Sequence, residues 1–78
     1  MVGRTNPGLR LYRPPDVEVR DLGSLVLFLP VTEAAGAWID QNVEPGANWF
    51  CGRLVVQRGY APDILGGMGA DGLSLVRE

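Results

Sequence analysis

Two apolar stretches set the strongest limit on what this chain can fold into. Leu25–Leu29 and Leu54–Val56 are apolar at every position, and successive side chains of a β-strand point to opposite faces of its sheet. Both stretches therefore predict strands that are covered on both faces. A chain of 78 residues has little material for two covering layers, because small domains bury a small share of their surface. We expect helices on one face, and the N-terminal segment, a second copy or a partner protein on the other.

The segment before the first apolar stretch predicts a β-hairpin. Val17–Arg20 alternates apolar and charged residues, which is typical of a strand with one face in water. Asp21–Ser24 contains turn-forming residues, so we expect the chain to return along Leu25–Leu29 as the more central strand. Pro30 ends this stretch.

Periodic apolar residues and end signals predict two helices. Thr32 can act as the N-cap of the first helix. Pro62 and Asp63 mark the start of the second, and Gly72 fits the left-handed position after its end. The apolar positions expected to face the sheet are Ala35, Trp38, Ile39 and Val43 in the first helix and Ala61, Ile64, Leu65 and Met68 in the second.

These elements predict an α+β domain with the order ββαβαβ. Three to four strands would form a small, mainly antiparallel sheet, with two helices packed on one face and Leu73–Val76 as the closing strand. Residues 17–78 are expected to form this single domain behind a flexible basic arm, residues 1–16. The net charge also differs between the two parts of the chain. Residues 1–20 hold four arginines and two carboxylates, whereas residues 21–78 hold three arginines and seven carboxylates.

The arginines of the arm are candidate phosphate contacts. Arg4, Arg10 and Arg13, together with Tyr12, could bind a nucleic-acid backbone and stack on a base. The whole chain has a formal charge of −2, which makes this binding weak and sensitive to salt. The other interpretation is a solvated tail beside an acidic domain.

The composition excludes the commonest catalytic and metal-binding arrangements. The chain has no histidine and one cysteine, so the usual zinc sites cannot be built and Cys51 has no imidazole base. The G-x-G-x-x-G pattern at Gly67–Gly72 would need a strand before it and a helix after it to bind a dinucleotide, and neither is expected there. We therefore predict no catalytic, cofactor-binding or metal-binding residue, and we interpret Cys51 as a small buried side chain.

Aromatic residues near the second apolar stretch are candidate partner contacts. Trp49 and Phe50 are adjacent, so one of them must point away from the helix-covered face of a strand. Tyr60 follows the next strand. Together with Val26 and Phe28 from the doubly apolar strand, they form the predicted contact surface.

A longer pattern of residues resembles a set of short, uncharacterised bacterial and phage-borne proteins over roughly residues 17–73. The resemblance implies a bacterial or phage origin and carries no activity, so no functional residue is inferred from it. The residues that carry it are Leu29–Ala35, Trp38, Ile39, Leu54–Val56, Tyr60, Asp63, Met68 and Asp71–Leu73.

Taken together, the sequence predicts a small non-enzymatic interaction protein that acts through a protein partner or as a homodimer. A nucleic-acid-associated accessory protein that uses its arginine arm is the alternative, and a small enzyme that uses Cys51 is the least favoured one. The lone cysteine favours a reducing compartment. The longest apolar run, Leu25–Val31, is far shorter than the roughly 20 residues of a membrane span, so we expect a cytoplasmic protein without membrane contact.

Overall fold

Two helices pack on one face of a five-stranded mixed sheet in the computed structural model, which describes residues 14–78. A short 3-10 turn, Arg58–Tyr60, leads into the second helix. In chain order the elements are β1 (Val17–Asp21), β2 (Leu25–Pro30), α1 (Glu33–Asn42), β3 (Asn48–Phe50), β4 (Arg53–Gln57), α2 (Ala61–Ala70) and β5 (Leu75–Arg77).

The sheet has the spatial order β3-β4-β2-β1-β5, which confirms the α+β class and the central place of β2. The pairings β1–β2, β2–β4 and β3–β4 are antiparallel, and β1–β5 is parallel. β5 runs parallel to β1 because α2 carries the chain back across the sheet to its far edge.

The structure contains one strand, β3, that is absent from the predicted order ββαβαβ. β3 is joined to β4 by Cys51 and Gly52, whose φ angles of 51° and 78° are both left-handed, as in the type I′ turns that close two-residue hairpins. A strand of three residues is too short to show alternation in the sequence. The observed order is therefore ββαββαβ.

Alternate residues of the central strands point to the helices and form one buried core. Phe28 and Leu54 are among its largest fully buried side chains. The strand members are Val17, Val19, Val26, Phe28, Leu54 and Val56, and the helix members are Ala35, Ile39, Ala61 and Met68.

Asp16 joins three segments at the start of the fold. Its buried carboxylate accepts hydrogen bonds from the Thr32 hydroxyl at 2.7 Å and from the Ser74 backbone N–H at 2.9 Å. Thr32 also accepts from the Ala35 N–H at 3.2 Å, which confirms it as the N-cap of α1. Asp16 thus belongs to the folded part, one residue before the expected boundary. Residues 1–13, the greater part of the expected arm, lie outside the described residues.

The indole ring of Trp38 joins the two helices. Its Nε1–H donates to Oδ2 of Asp71 at 2.7 Å, and the ring lies so close to Gly67 that a Cβ there would be 2.9 Å from Cζ2. Gly72 has a φ of 87° just after α2, as predicted for the residue that ends this helix. The glycines at both ends of the Gly67–Gly72 pattern are therefore explained by helix packing and helix termination.

The sheet face away from the helices carries apolar side chains at its centre. Leu27 is buried there, whereas Leu25, near the end of β2, is partly exposed. Leu27 is paired with Arg20 on one side and with Val55 on the other. Arginine side chains can lay their apolar stems across such a surface while the charged group stays in water.

An ion-pair cluster lies beside these leucines. Glu78 binds Arg20 at 2.8 Å and Arg53 at 3.6 Å. A hydrogen bond between the Glu18 and Glu78 carboxyl groups raises the pKa of Glu18 and lowers the pKa of Glu78.

Candidate functional site

A cleft of about 660 Å³ opens beside the last residues of β4, which β3 does not cover, between the α1–β3 loop and the start of α2. We call it the edge cleft. It forms because α1 ends at Asn42 and the chain needs a loop, residues 43–47, before β3 begins. Its apolar lining comes from Val43, Pro45, Ala47, Leu54, Val55, Val56 and Ile64, and its polar lining from Asn42, Glu44, Asn48, Gln57, Tyr60 and Asp63.

The main chain of β4 is open on the cleft side. β3 reaches only as far as Asn48, which is paired with Val55, so no strand among residues 14–78 lies beside Gln57 on this side. The next N–H, that of Arg58, donates to the Ser24 carbonyl at 3.0 Å, toward β2. Since backbone groups alternate in direction along an antiparallel strand, the N–H of Gln57 points away from β2 and toward the cleft. The C=O of Gln57 is engaged, because Gln57 is the N-cap of the 3-10 turn and an N-cap carbonyl accepts the first bond of its helix.

The charges at the edge cleft are of one sign. Glu44 and Asp63 line it, and none of the described residues in its lining is basic. A smaller adjoining hollow of about 280 Å³ shares the loop with the cleft and adds Asp40 and Trp49 to the lining. The site thus combines an apolar base with acidic side chains at its rim.

The ion pairs found among residues 14–78 lie elsewhere. Arg20 and Arg53 bind Glu78 on the open sheet face, and Arg58 binds Asp21 at the β1–β2 turn. The Arg58 guanidinium, together with the Gly23 N–H, lowers the pKa of Asp21. None of these arginines neutralises Glu44 or Asp63.

Three of the predicted contact residues lie around this edge of the sheet. Trp49, Phe50 and Tyr60 are 49%, 63% and 64% exposed. Tyr60 lines the edge cleft and Trp49 the adjoining hollow. Phe50 directly follows Trp49 and is paired with Arg53. Its side chain lies on the face of β3 opposite to that of Trp49, because neighbouring residues of a strand alternate between faces.

The other two predicted contact residues require a correction. Val26 and Phe28 are 4% and 0% exposed and belong to the core under the helices, so neither offers surface to a partner. Because Leu25–Leu29 is apolar at every position, the sequence did not show which alternate residues of β2 face away from the helices. The pairing places Leu25, Leu27 and Leu29 on the open face instead.

Cys51 occupies the tip of the β3–β4 hairpin, and its thiol is exposed, which corrects the interpretation of a buried side chain. A thiol nucleophile needs a base or a positive environment, and the chain contains no histidine. Within residues 14–78 no group of three or more cysteine, aspartate or glutamate side chains is placed to hold a metal ion. Enzymatic use of Cys51 thus gains no geometric support.

Two expectations concern other parts of the molecule. The candidate phosphate contacts Arg4, Arg10 and Arg13 lie outside the described residues, so that role stays a prediction. Neither helix in the described part of the chain is long and apolar enough to cross a membrane.

Trp49 and Tyr60 were predicted from the sequence as contact residues, whereas Glu44, Gln57 and Asp63 were not predicted to belong to a site. Each of these three has an ordinary local role, in a loop, at a strand end and in a helix's first turn. The signal that could have identified the two acidic residues is their separation from arginine: no arginine lies within eight positions of Glu44 or within four positions of Asp63. Comparison with protein-family models, with curated proteins and with solved structures found no match to this chain.

Proposed function

We propose that the chain is a small non-enzymatic interaction protein of bacterial or phage origin, which acts in the cytoplasm by binding a partner protein or a second copy of itself. The observation that carries this proposal is the exposure of Trp49, Phe50 and Tyr60 at one edge of the sheet. We call these three residues the edge surface.

Exposed aromatic side chains favour a role in binding for a physical reason. Leaving large apolar rings in water forgoes about 25 cal/mol per Å² that burial would supply. Aromatic residues are also the side chains that most often dominate the binding energy of protein interfaces. The edge surface lies on short elements, β3 and the 3-10 turn, so a partner could cover it without disturbing the core.

The test compares association before and after the edge surface is made polar. The double variant Phe50→Ser, Tyr60→Ser removes two exposed rings without touching the core. Val76→Ser is the matched control, because Val76 is 44% exposed on β5, at the opposite edge of the sheet from β3. Circular dichroism melts check that all three proteins are folded.

Sedimentation velocity over a concentration series measures self-association, and affinity capture from the host measures partner binding. We expect the wild type and Val76→Ser to associate alike and the double variant to bind at least about thirtyfold more weakly, because losing one hot-spot side chain costs about 2 kcal/mol or more. A wild type that stays monomeric and captures no protein beyond what the double variant captures would overturn the proposal.

A further inference from the structure

We infer that the edge cleft binds an extended, basic segment of a partner protein in which lysine or arginine alternates with apolar residues. This inference rests on the proposed function and specifies the chemistry of the partner. It draws on three properties that residues 14–78 give this site: an apolar base, a backbone N–H of β4 without a neighbouring strand, and acidic side chains without a basic side chain beside them.

The size and lining of the cleft suit side chains of a peptide. A volume of about 660 Å³ lies within the roughly 300–1,000 Å³ typical of binding pockets. Leu54 and Val56, which belong to the core, form part of its base together with Ile64. An apolar side chain that enters here would therefore extend the core of the domain rather than rest on a polar surface.

The open backbone of Gln57 favours a segment in extended conformation. Peptides commonly bind at sheet edges through main-chain hydrogen bonds, and pockets for alternate side chains add selectivity. Gln57 offers its N–H toward the cleft, beyond the last β3–β4 pair, Asn48 with Val55, whereas its C=O begins the 3-10 turn. A backbone carbonyl of a passing extended segment can accept a hydrogen bond from this N–H, as in a strand pair.

The charges decide which segment fits. Glu44 and Asp63 line the cleft and Asp40 lines the hollow beside it, and no arginine from residues 14–78 belongs to either lining. A basic side chain is attracted to these carboxylates, and an arginine could also stack on the exposed ring of Tyr60. Acidic peptides and phosphate groups are repelled for the same reason.

The experiment uses the full chain, labelled with ¹⁵N, and two synthetic pentapeptides as probes. The basic probe is Lys-Val-Arg-Val-Lys and the acidic control is Glu-Val-Glu-Val-Glu. Amide shift mapping by NMR detects the weak binding expected of short peptides and locates it. We expect shifts from the basic probe at residues 42–48, 54–57 and 60–64, and none from the acidic control.

Two variants separate the contributions of charge and backbone. The double variant Glu44→Gln, Asp63→Asn should weaken binding of the basic probe about tenfold, whereas Glu33→Gln, which removes a charge at the far end of α1, should not. Gln57→Pro removes the edge N–H. Because Gln57 has a φ of −64°, close to the angle that proline imposes, the strand can accept this change. If a thermal melt shows that Gln57→Pro does not fold, the charge variants alone test the inference.

The outcomes distinguish this inference from the proposed function. Equal binding of both probes, shifts elsewhere on the surface, or unchanged binding by the Glu44/Asp63 variant overturns the basic-segment inference. Phe50→Ser, on the other face of β3, should leave probe binding unchanged. A chain that binds no basic probe but still loses association in the Phe50/Tyr60 variant keeps its proposed function and loses only this inference.

Discussion

Replacing Gly67 with alanine should destabilise the protein, although alanine is the better helix former. The added Cβ would lie 2.9 Å from Cζ2 and 3.4 Å from Cη2 of Trp38, closer than carbon atoms pack without strain. The indole ring cannot simply move away, because its N–H donates to Asp71 at 2.7 Å and the ring packs against the core.

Two opposing terms set the magnitude. Glycine to alanine in a helix interior favours folding by up to about 1 kcal/mol, whereas an extra carbon in a packed contact costs about 1–3 kcal/mol. Gly66→Ala is the matched control on the same helix, since no atom lies within 4 Å of the Cβ it would add. The propensity term cancels between the two variants, so Gly67→Ala should be about 1–3 kcal/mol less stable than Gly66→Ala.

Urea unfolding followed by circular dichroism at 222 nm measures both free energies, and thermal melts provide a second comparison. For a domain of this size each 1 kcal/mol corresponds to a melting shift of about 4–8 °C. Equal stability of the two alanine variants would refute the reasoning. A further check is the Trp38→Ala background, where the clash is absent and Gly67→Ala should become stabilising.

Three further predictions follow from single side chains. Cys51→Asn should raise the unfolding free energy by about 0.5–1 kcal/mol, because asparagine tolerates the left-handed φ of 51° better than cysteine does; an unchanged urea midpoint would contradict this. Asp16→Asn should cost about 2 kcal/mol, because an amide has one acceptor oxygen where the Asp16 carboxylate accepts from both Thr32 and Ser74; the same urea titration tests it. The lowered pKa of Asp21, caused mainly by Arg58, adds stability at pH values above its ordinary pKa of 3.8, and this stability is lost as the pH falls through the lowered value; an Asp21→Asn variant with the same acid-unfolding curve as the wild type would exclude this contribution.

The elements that rest on local signals were predictable. Thr32 has a side-chain acceptor at the start of a periodic segment, and the structure begins α1 directly after it. Pro62 lies in the first turn of α2, and Gly72 follows its end with a positive φ. These residues act through bonds and angles within a few positions, so their neighbours in the sequence are sufficient to identify them.

The elements that depend on distant pairing were not predictable in the same way. β3 exists because Cys51 and Gly52 turn it against β4, and three residues are too few for a period to be visible. The face chosen by Val26 and Phe28 depends on register, since an apolar run fits either choice until the strands pair. The edge cleft likewise depends on where β3 stops, which brings together Glu44 and Asp63 from opposite sides of the hairpin.

The sequence alone determined the α+β class, the two helices with their ends, and the excess of apolar strand surface, because each follows from residue type and short-range periodicity. It also excluded histidine-dependent chemistry through composition. Only the tertiary structure decided which side of each strand is core, why Gly67 lies under Trp38, and where a partner could reach the open backbone of Gln57. These features arise from contacts between segments far apart in the chain, and the geometry of such contacts is set when the whole sheet pairs and packs.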